Sequence, residues 1–149
     1  MVEVDNSPLT PQQKLDLHML HGRYEMERDL EMTMATLVAE PIYRFNGKLM
    51  VGQEAVRSWY KDVIMKIFSW DNFEVLNSIP AEQGLAHEFT VQVDWRGRTH
   101  LIRGTSFVHF DGDKMRGESL FLAEPFEEIV RELVDLDALI TAEPDPQPA

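Results

Sequence analysis

The chain contains no cysteine. That removes disulfide staples, thiolate nucleophiles and cysteine-bound metal centres together. Basic residues are scarce beside acidic ones: 14 Lys and Arg against 26 Asp and Glu, a net charge of −12 at pH 7. Such a surface repels phosphate backbones and anionic lipid, so neither nucleic acid nor a membrane is expected as a partner. No stretch approaches the roughly 18 consecutive apolar residues of a spanning helix. The opening MVEVDNSPLT has neither the basic nor the apolar segment of a secretory leader, and a cytoplasmic protein is expected. No internal repeat occurs, and no G-x-S-x-G elbow marks a hydrolase serine.

What is present suits one domain of 149 residues with a core of its own. Thr10-Pro11-Gln12-Gln13 has the form of a capping box with Pro at the first helical position. It opens a helix whose Leu17, Leu20, His21 and Tyr24 share one stripe. Asp29 caps a second short helix, and EPIYRFN and KLMV predict two short strands joined at Gly47. QEAVRSWYKDVIMKIF predicts a long amphipathic helix. Four strands follow, over about 72–79, 85–95, 99–110 and 114–122, and then a single final helix over 124–140. Helices first and a meander afterwards indicate an α+β fold, helices packed on one face of an antiparallel-rich sheet. Residues 1–9 are expected to be flexible, 10–123 to form the domain, and 141–149 to be disordered.

Within the meander, FTVQVDWRGRTHLIRGTSFVHF pairs by counting outward from Arg96-Gly97. Val93 then faces His100, Val91 faces Ile102, Phe89 faces Gly104 and His87 faces Ser106. This face is apolar at its Trp95 end and small and polar at its Phe110 end. A filled core would place branched aliphatics there, so the pattern predicts a pocket. The bland reading of Gly104 is that it makes room for an aromatic ring. A three-residue loop Asp111-Gly112-Asp113 sets Glu118 beside Ser106, with Leu120 and Leu122 also inward. A two-residue turn at Asp111-Gly112 would instead turn Gly117, Ser119 and Phe121 inward. An inward Glu118 would be desolvated, which should raise its pKa.

ATLVAEPIYRF, VGQEAVRSWY and the FTVQVDWRG…SFVHFDGDKM meander together resemble the nuclear transport factor 2-like superfamily. The nearest look is its SnoaL-like branch, with ketosteroid isomerases, epoxide hydrolases and polyketide cyclases as relatives. The resemblance covers about residues 12–123 and implies a cystatin-like cone around a deep pocket, with the final helix as an extra. Family habit implies a homodimer through the outer sheet face. Laid against ketosteroid isomerases, the helix tyrosine falls on His21, the base aspartate on Phe45 and the second aspartic acid on Ser106. A supporting tyrosine is kept as Tyr60. With Phe45 at the base position the isomerase reaction is not expected, and Glu40 near the strand's mouth is a poor substitute.

The expected chemistry is acid/base work on an apolar, ring-sized molecule: isomerisation, dehydration, cyclisation or epoxide opening. His21 and Glu118 are the catalytic candidates. The expected lining is Tyr24, Tyr43, Phe45, Trp59, Tyr60 and His87, with Phe89, Val91, Ile102, Gly104 and Ser106 from the sheet. The five histidines lack local metal-ligand spacing beyond the neighbours His18 and His21, so no metal and no cofactor is expected. A His21–His87–Glu118 set is the nearest candidate. Two other readings stay open: a non-catalytic binding module, and an interaction protein docking through the Phe126, Ile129, Val130 and Leu133 stripe of its last helix.

Overall fold

The computed structural model of the protein describes residues 7–141. The first six residues of the expected flexible start and residues 142–149 of the expected tail lie outside the described residues. Helix α1 spans Pro11–Met26 and begins at the expected box: Thr10 Oγ1 accepts from Gln13 N at 3.1 Å, and Gln13 Oε1 from Thr10 N at 2.9 Å. Helix α2 spans Leu30–Ala35 under the Asp29 cap. Strands β1 (Ile42–Phe45) and β2 (Lys48–Val51) form the first hairpin.

The long helix that follows has three parts. α3 (Gln53–Trp59) runs into a π-helical turn over Tyr60–Ile64, and α4 (Met65–Ile67) completes it. Met65 N donates to Tyr60 O, five residues back. Such a turn inserts one residue and re-aims the side chains around it, a device often found at functional sites.

Strands β3 (Phe73–Ala81), β4 (Gly84–Trp95), β5 (Arg98–Asp111) and β6 (Lys114–Leu122) complete a six-stranded sheet of order β2-β1-β6-β5-β4-β3. Among the described strands β1 and β6 are the pair that runs parallel, so the sheet is mixed. The β4–β5 register is the expected one throughout, from Leu85 opposite Val108 to Trp95 opposite Arg98. The β5–β6 register is neither expected alternative. The turn is Gly112-Asp113, and an extra residue, Arg116, bulges between the Phe110–Met115 and His109–Gly117 pairs. Glu118, Leu120 and Leu122 do point inward, but Ser106 sits opposite Leu120 and Glu118 opposite Val108. A bulge restores the parity that a two-residue turn alone would reverse, and it bends the sheet.

The interior side of the sheet holds one core, with Tyr43, Phe45, Met50, Val56, Trp59, Val91, Ile102 and Phe126 all buried. Three expectations change here. The α1 stripe is rotated: Lys14, His21 and Met26 are its buried residues, and Leu17 and Leu20 are half-buried. Lys14 is accommodated because Nζ donates to the Glu82 carbonyl, leaving its stem in apolar surroundings. The single C-terminal helix is two, α5 (Phe126–Leu133) and α6 (Leu136–Leu139), because Val134 is extended and Asp135 starts a new cap. Most of the α5 stripe is not free for a partner either, Leu133 alone of its four residues being exposed. Phe126, Ile129 and Val130 are buried, with the Phe126 ring 5.8 Å from Phe45 and 6.0 Å from Phe68. No helix among the described residues is long and apolar enough to cross a membrane.

Candidate active site

Between α1, the π-helical turn and the inner side of the sheet lies a cavity of about 420 Å³. α1 contributes Leu15, His18, Met19, Gly22, Glu25 and Met26, and the aromatics Phe68, Trp70, Phe73 and Phe89 form much of the rest. Gly22 has a physical role: a Cβ built there meets nothing within 4 Å, so the glycine widens the cavity rather than permitting close packing. The polar residues of the lining include His18, Glu25, Tyr60, His87 and Glu118. A largely apolar hollow with a few convergent polar groups is the usual form of a small-ligand site.

Those polar groups form one network. Thr36 Oγ1 donates to Thr33 O at 2.7 Å, so its contact with His21 Nδ1 at 2.6 Å is one in which the ring N–H donates. His21 Nε2 then stands 2.6 Å from Glu25 Oε1 and 2.7 Å from Tyr60 OH. An imidazole N–H and a carboxylate oxygen that close form a charge-assisted hydrogen bond. Burial lowers the His21 pKa, but Glu25, by charge and hydrogen bond, and Glu118 together overcome it and hold the ring above its ordinary value. Tyr60 OH also reaches Glu118 Oε2 at 3.2 Å and bonds Tyr43 OH. Burial pushes both phenols well above 10, so they remain hydroxyls.

Glu118 is 5% exposed and gathers the other members. Ser106 Oγ donates to its Oε1 at 2.8 Å, His18 Nε2 lies 3.5 Å from the same oxygen and His87 Nε2 3.9 Å from it. The expected rise in its pKa is reversed. Burial does act upward, but His18 and His87, directed at the carboxylate, and the charge of His18 and His21 hold it well below the usual range. Burial acts on His18 in the other direction and leaves it below its ordinary value.

The structure therefore sorts the expected site residues. Trp59, Tyr60, His87, Phe89 and Glu118 line the cavity. His21 does not: it is fully buried behind Glu25, Tyr60 and Glu118. Tyr43 lies a layer deeper, bonded to Tyr60, and Ser106 supports Glu118 from outside the lining. Phe45, Val91 and Ile102 are ordinary core, Phe45 packing 4.9 Å from Trp59. Gly104 does not hollow the cavity; a Cβ there would stand 2.6 Å from Phe89 Cζ, so the glycine receives that ring. Tyr24 points elsewhere, with the Arg23 guanidinium 5.7 Å from its ring. Glu40 is exposed. His18 and Glu25 were missed, although His18, His21 and Glu25 at helical spacing form a polar stripe legible in the sequence.

No family model matches the chain, and no curated protein matches it by sequence. Solved structures do. A steroid delta-isomerase from Pseudomonas aeruginosa superposes with a TM-score of 0.67 at 16% identity, over 89% of this chain and 96% of that one. An NTF2-like protein of unknown function from Cytophaga hutchinsonii gives 0.60 at 14%, over 72% and 97%. The chain has the nuclear transport factor 2-like fold. The epoxide hydrolase/cyclase-like enzyme SalBIII shares this cone, with a TM-score of 0.65 at 12% identity over 77% of this chain and 94% of that one. At such identities the cone is what is shared; the chemistry inside it has to be argued from this chain's own residues.

Proposed function

We propose that the protein is a SnoaL-like small-molecule enzyme that performs acid/base chemistry on an apolar, ring-sized substrate. One observation carries this reading: a carboxylate paired with an imidazole at 2.6 Å stands in the wall of a largely apolar cavity. Because Glu25 lines the cavity and His21 does not, Glu25 is the group that exchanges a proton with the substrate. His21 is a positioning residue. It is fixed by Thr36 and holds the proton that Glu25 takes or returns. The Tyr60 hydroxyl supplies a donor between the pair and Glu118, and Glu118 remains ionised as the charge that keeps the imidazoles oriented.

This assignment moves the proton transfer from the expected His21–Glu118 pair to Glu25. Glu118, held well below the usual carboxylate range, is a weak base, whereas Glu25 faces the cavity with an imidazole 2.6 Å behind it. Isomerisation, dehydration, cyclisation and epoxide opening each need a proton removed at one atom and delivered at another. One two-way group beside a fixed hydroxyl can serve all four. Phe45 at the isomerase base position argues against the ketosteroid reaction itself.

The test is a thermal-shift screen of apolar ring compounds, followed by mass spectrometry of each hit for product. Wild type is expected to bind and convert one of them, and Glu25→Gln to bind it without conversion. Equal turnover in wild type and Glu25→Gln would remove the assignment. The predominantly apolar lining also favours a non-catalytic binding module, and binding by wild type without any conversion would establish that reading instead.

A further inference from the structure

Two groups of three potential ligands meet beside the cavity: His21 with Glu25 and Glu118, and His18 with His87 and Glu118. In the first, His21 has no lone pair to offer, because Nδ1 donates to Thr36 and Nε2 is taken up by Glu25 and Tyr60. The second is open. His87 Nε2 is buried and has no hydrogen-bond partner, and the His87 side chain is only 6% exposed. One other buried side-chain nitrogen among the described residues is unpartnered, Trp59 Nε1, but an indole N–H has no lone pair for a cation. An orphaned imidazole nitrogen in such a setting calls for a partner.

We propose that His18, His87 and Glu118 form a binding site for one divalent transition-metal cation of the zinc class, open to the cavity. The ligand atoms of the three lie within 4.8 Å of one another, with His18 Nε2 and His87 Nε2 at 3.5 and 3.9 Å from Glu118 Oε1. These spacings are too long for good hydrogen bonds. They are close to the separation of about 3.3 Å between ligand atoms set tetrahedrally around an ion that binds nitrogen and oxygen at about 2.0–2.2 Å. The donor set, two imidazoles and one carboxylate, is that of catalytic zinc and of other first-row metals that keep open positions.

The surroundings fit a ligated carboxylate. Ser106 Oγ donates to Oε1 and Tyr60 OH to Oε2, so Glu118 is held by second partners of the kind that orient metal ligands. All three ligands line the cavity, so the open coordination positions face a bound molecule. The chain's charge of −12 raises the local concentration of cations. The expectation of no metal rested on sequence spacing alone. His18 comes from α1, His87 from β4 and Glu118 from β6, and only the fold brings them together.

The proposal does not depend on Glu25 chemistry, and it is tested without a substrate. The full chain is stripped with a chelator, then titrated with Zn²⁺ by calorimetry and with Co²⁺ by visible absorption. The expected result is one ion per chain with micromolar affinity or tighter, ligand-field bands from the bound Co²⁺, and a Zn²⁺-dependent rise in Tm. His18→Ala and His87→Ala should each weaken binding by at least about 10-fold. His109→Ala, on the outer face where the ring contacts Ser119, should leave it unchanged. If an alanine variant fails to fold by circular dichroism, His18→Gln or His87→Gln replaces it, and NMR reads whether Zn²⁺ shifts the His18 and His87 ring signals of wild type. No saturable binding up to about 1 mM metal, or equal binding in wild type and the folded His18 and His87 variants, overturns the site.

Discussion

His21 Nε2 lies 2.6 Å from Glu25 Oε1 while its Nδ1 donates to Thr36, so both nitrogens of a fully buried ring are engaged in roles that call for hydrogen. Nitrogen-edge NMR of ring-labelled protein is therefore expected to find both His21 nitrogens protonated near neutral pH. In Glu25→Gln the doubly protonated signal should give way to a neutral tautomer with hydrogen on Nδ1. A neutral His21 with its hydrogen on Nε2 in the wild type would contradict the network.

Gly22 offers a direct handle on the cavity, since a side chain grown from it enters open space. Gly22→Ala should stabilise the protein by about 0.5–1 kcal/mol, the usual gain for replacing a helix-interior glycine. Gly22→Phe should fold and fill part of the 420 Å³. Compounds that raise the Tm of wild type should then lose that effect. Unchanged ligand shifts in a folded Gly22→Phe would place the binding site elsewhere.

Two sheet glycines should respond in a fixed order. Gly104→Ala pushes a methyl against the Phe89 ring at 2.6 Å, and a ring can retreat, so a loss of about 1–3 kcal/mol is expected. At Gly117 the added carbon would stand 1.7 Å from the Ile42 carbonyl oxygen, which is backbone of the neighbouring strand β1. Gly117→Ala is expected to cost more than Gly104→Ala in urea denaturation, by separating β1 from β6. The reverse order would mean that the parallel β1–β6 pairing is misplaced.

Lys48 Nζ and Glu127 Oε1 meet at 2.8 Å and tie α5 to β2. The hydrogen bond from Lys48 leads the effects that hold Glu127 below its ordinary value of 4.5. A carboxylate depressed in the folded state contributes stability above its unfolded pKa and loses it as pH falls through the folded one. The pair is partly exposed, so its worth is at most about 1 kcal/mol. Lys48→Met should lower the urea midpoint slightly near neutral pH, and the gap to wild type should close in acid. A gap that persists in acid would assign the effect to packing of the lysine stem.

How much of this was legible beforehand follows the range of the forces involved. The Thr10 box, the long helix around Trp59 and the β4–β5 hairpin rest on contacts between near neighbours in sequence, and each stands where the periodicity or the turn chemistry placed it. The β5–β6 register was not legible, because one bulged residue, Arg116, moves every later pair and has no signature of its own. The orientation of α1 was misread for a related reason. A helix turns whichever face the cavity and its partners stabilise, and here that face carries His18, Gly22 and Glu25.

The sequence by itself determined the class of fold and the central hairpin, since alternation and helical period are written into local residue order, whereas the inward Glu118 depends on the Arg116 bulge. Tertiary structure alone decided that His21 sits behind Glu25 rather than in the cavity, that Gly104 receives a ring, and that α5 closes the chain's own core. It also decided that His18, His87 and Glu118 converge. Those outcomes turn on distances between side chains from α1, the π-helical turn, β4 and β6, and such distances exist only once the sheet has bent and the helices have packed against it.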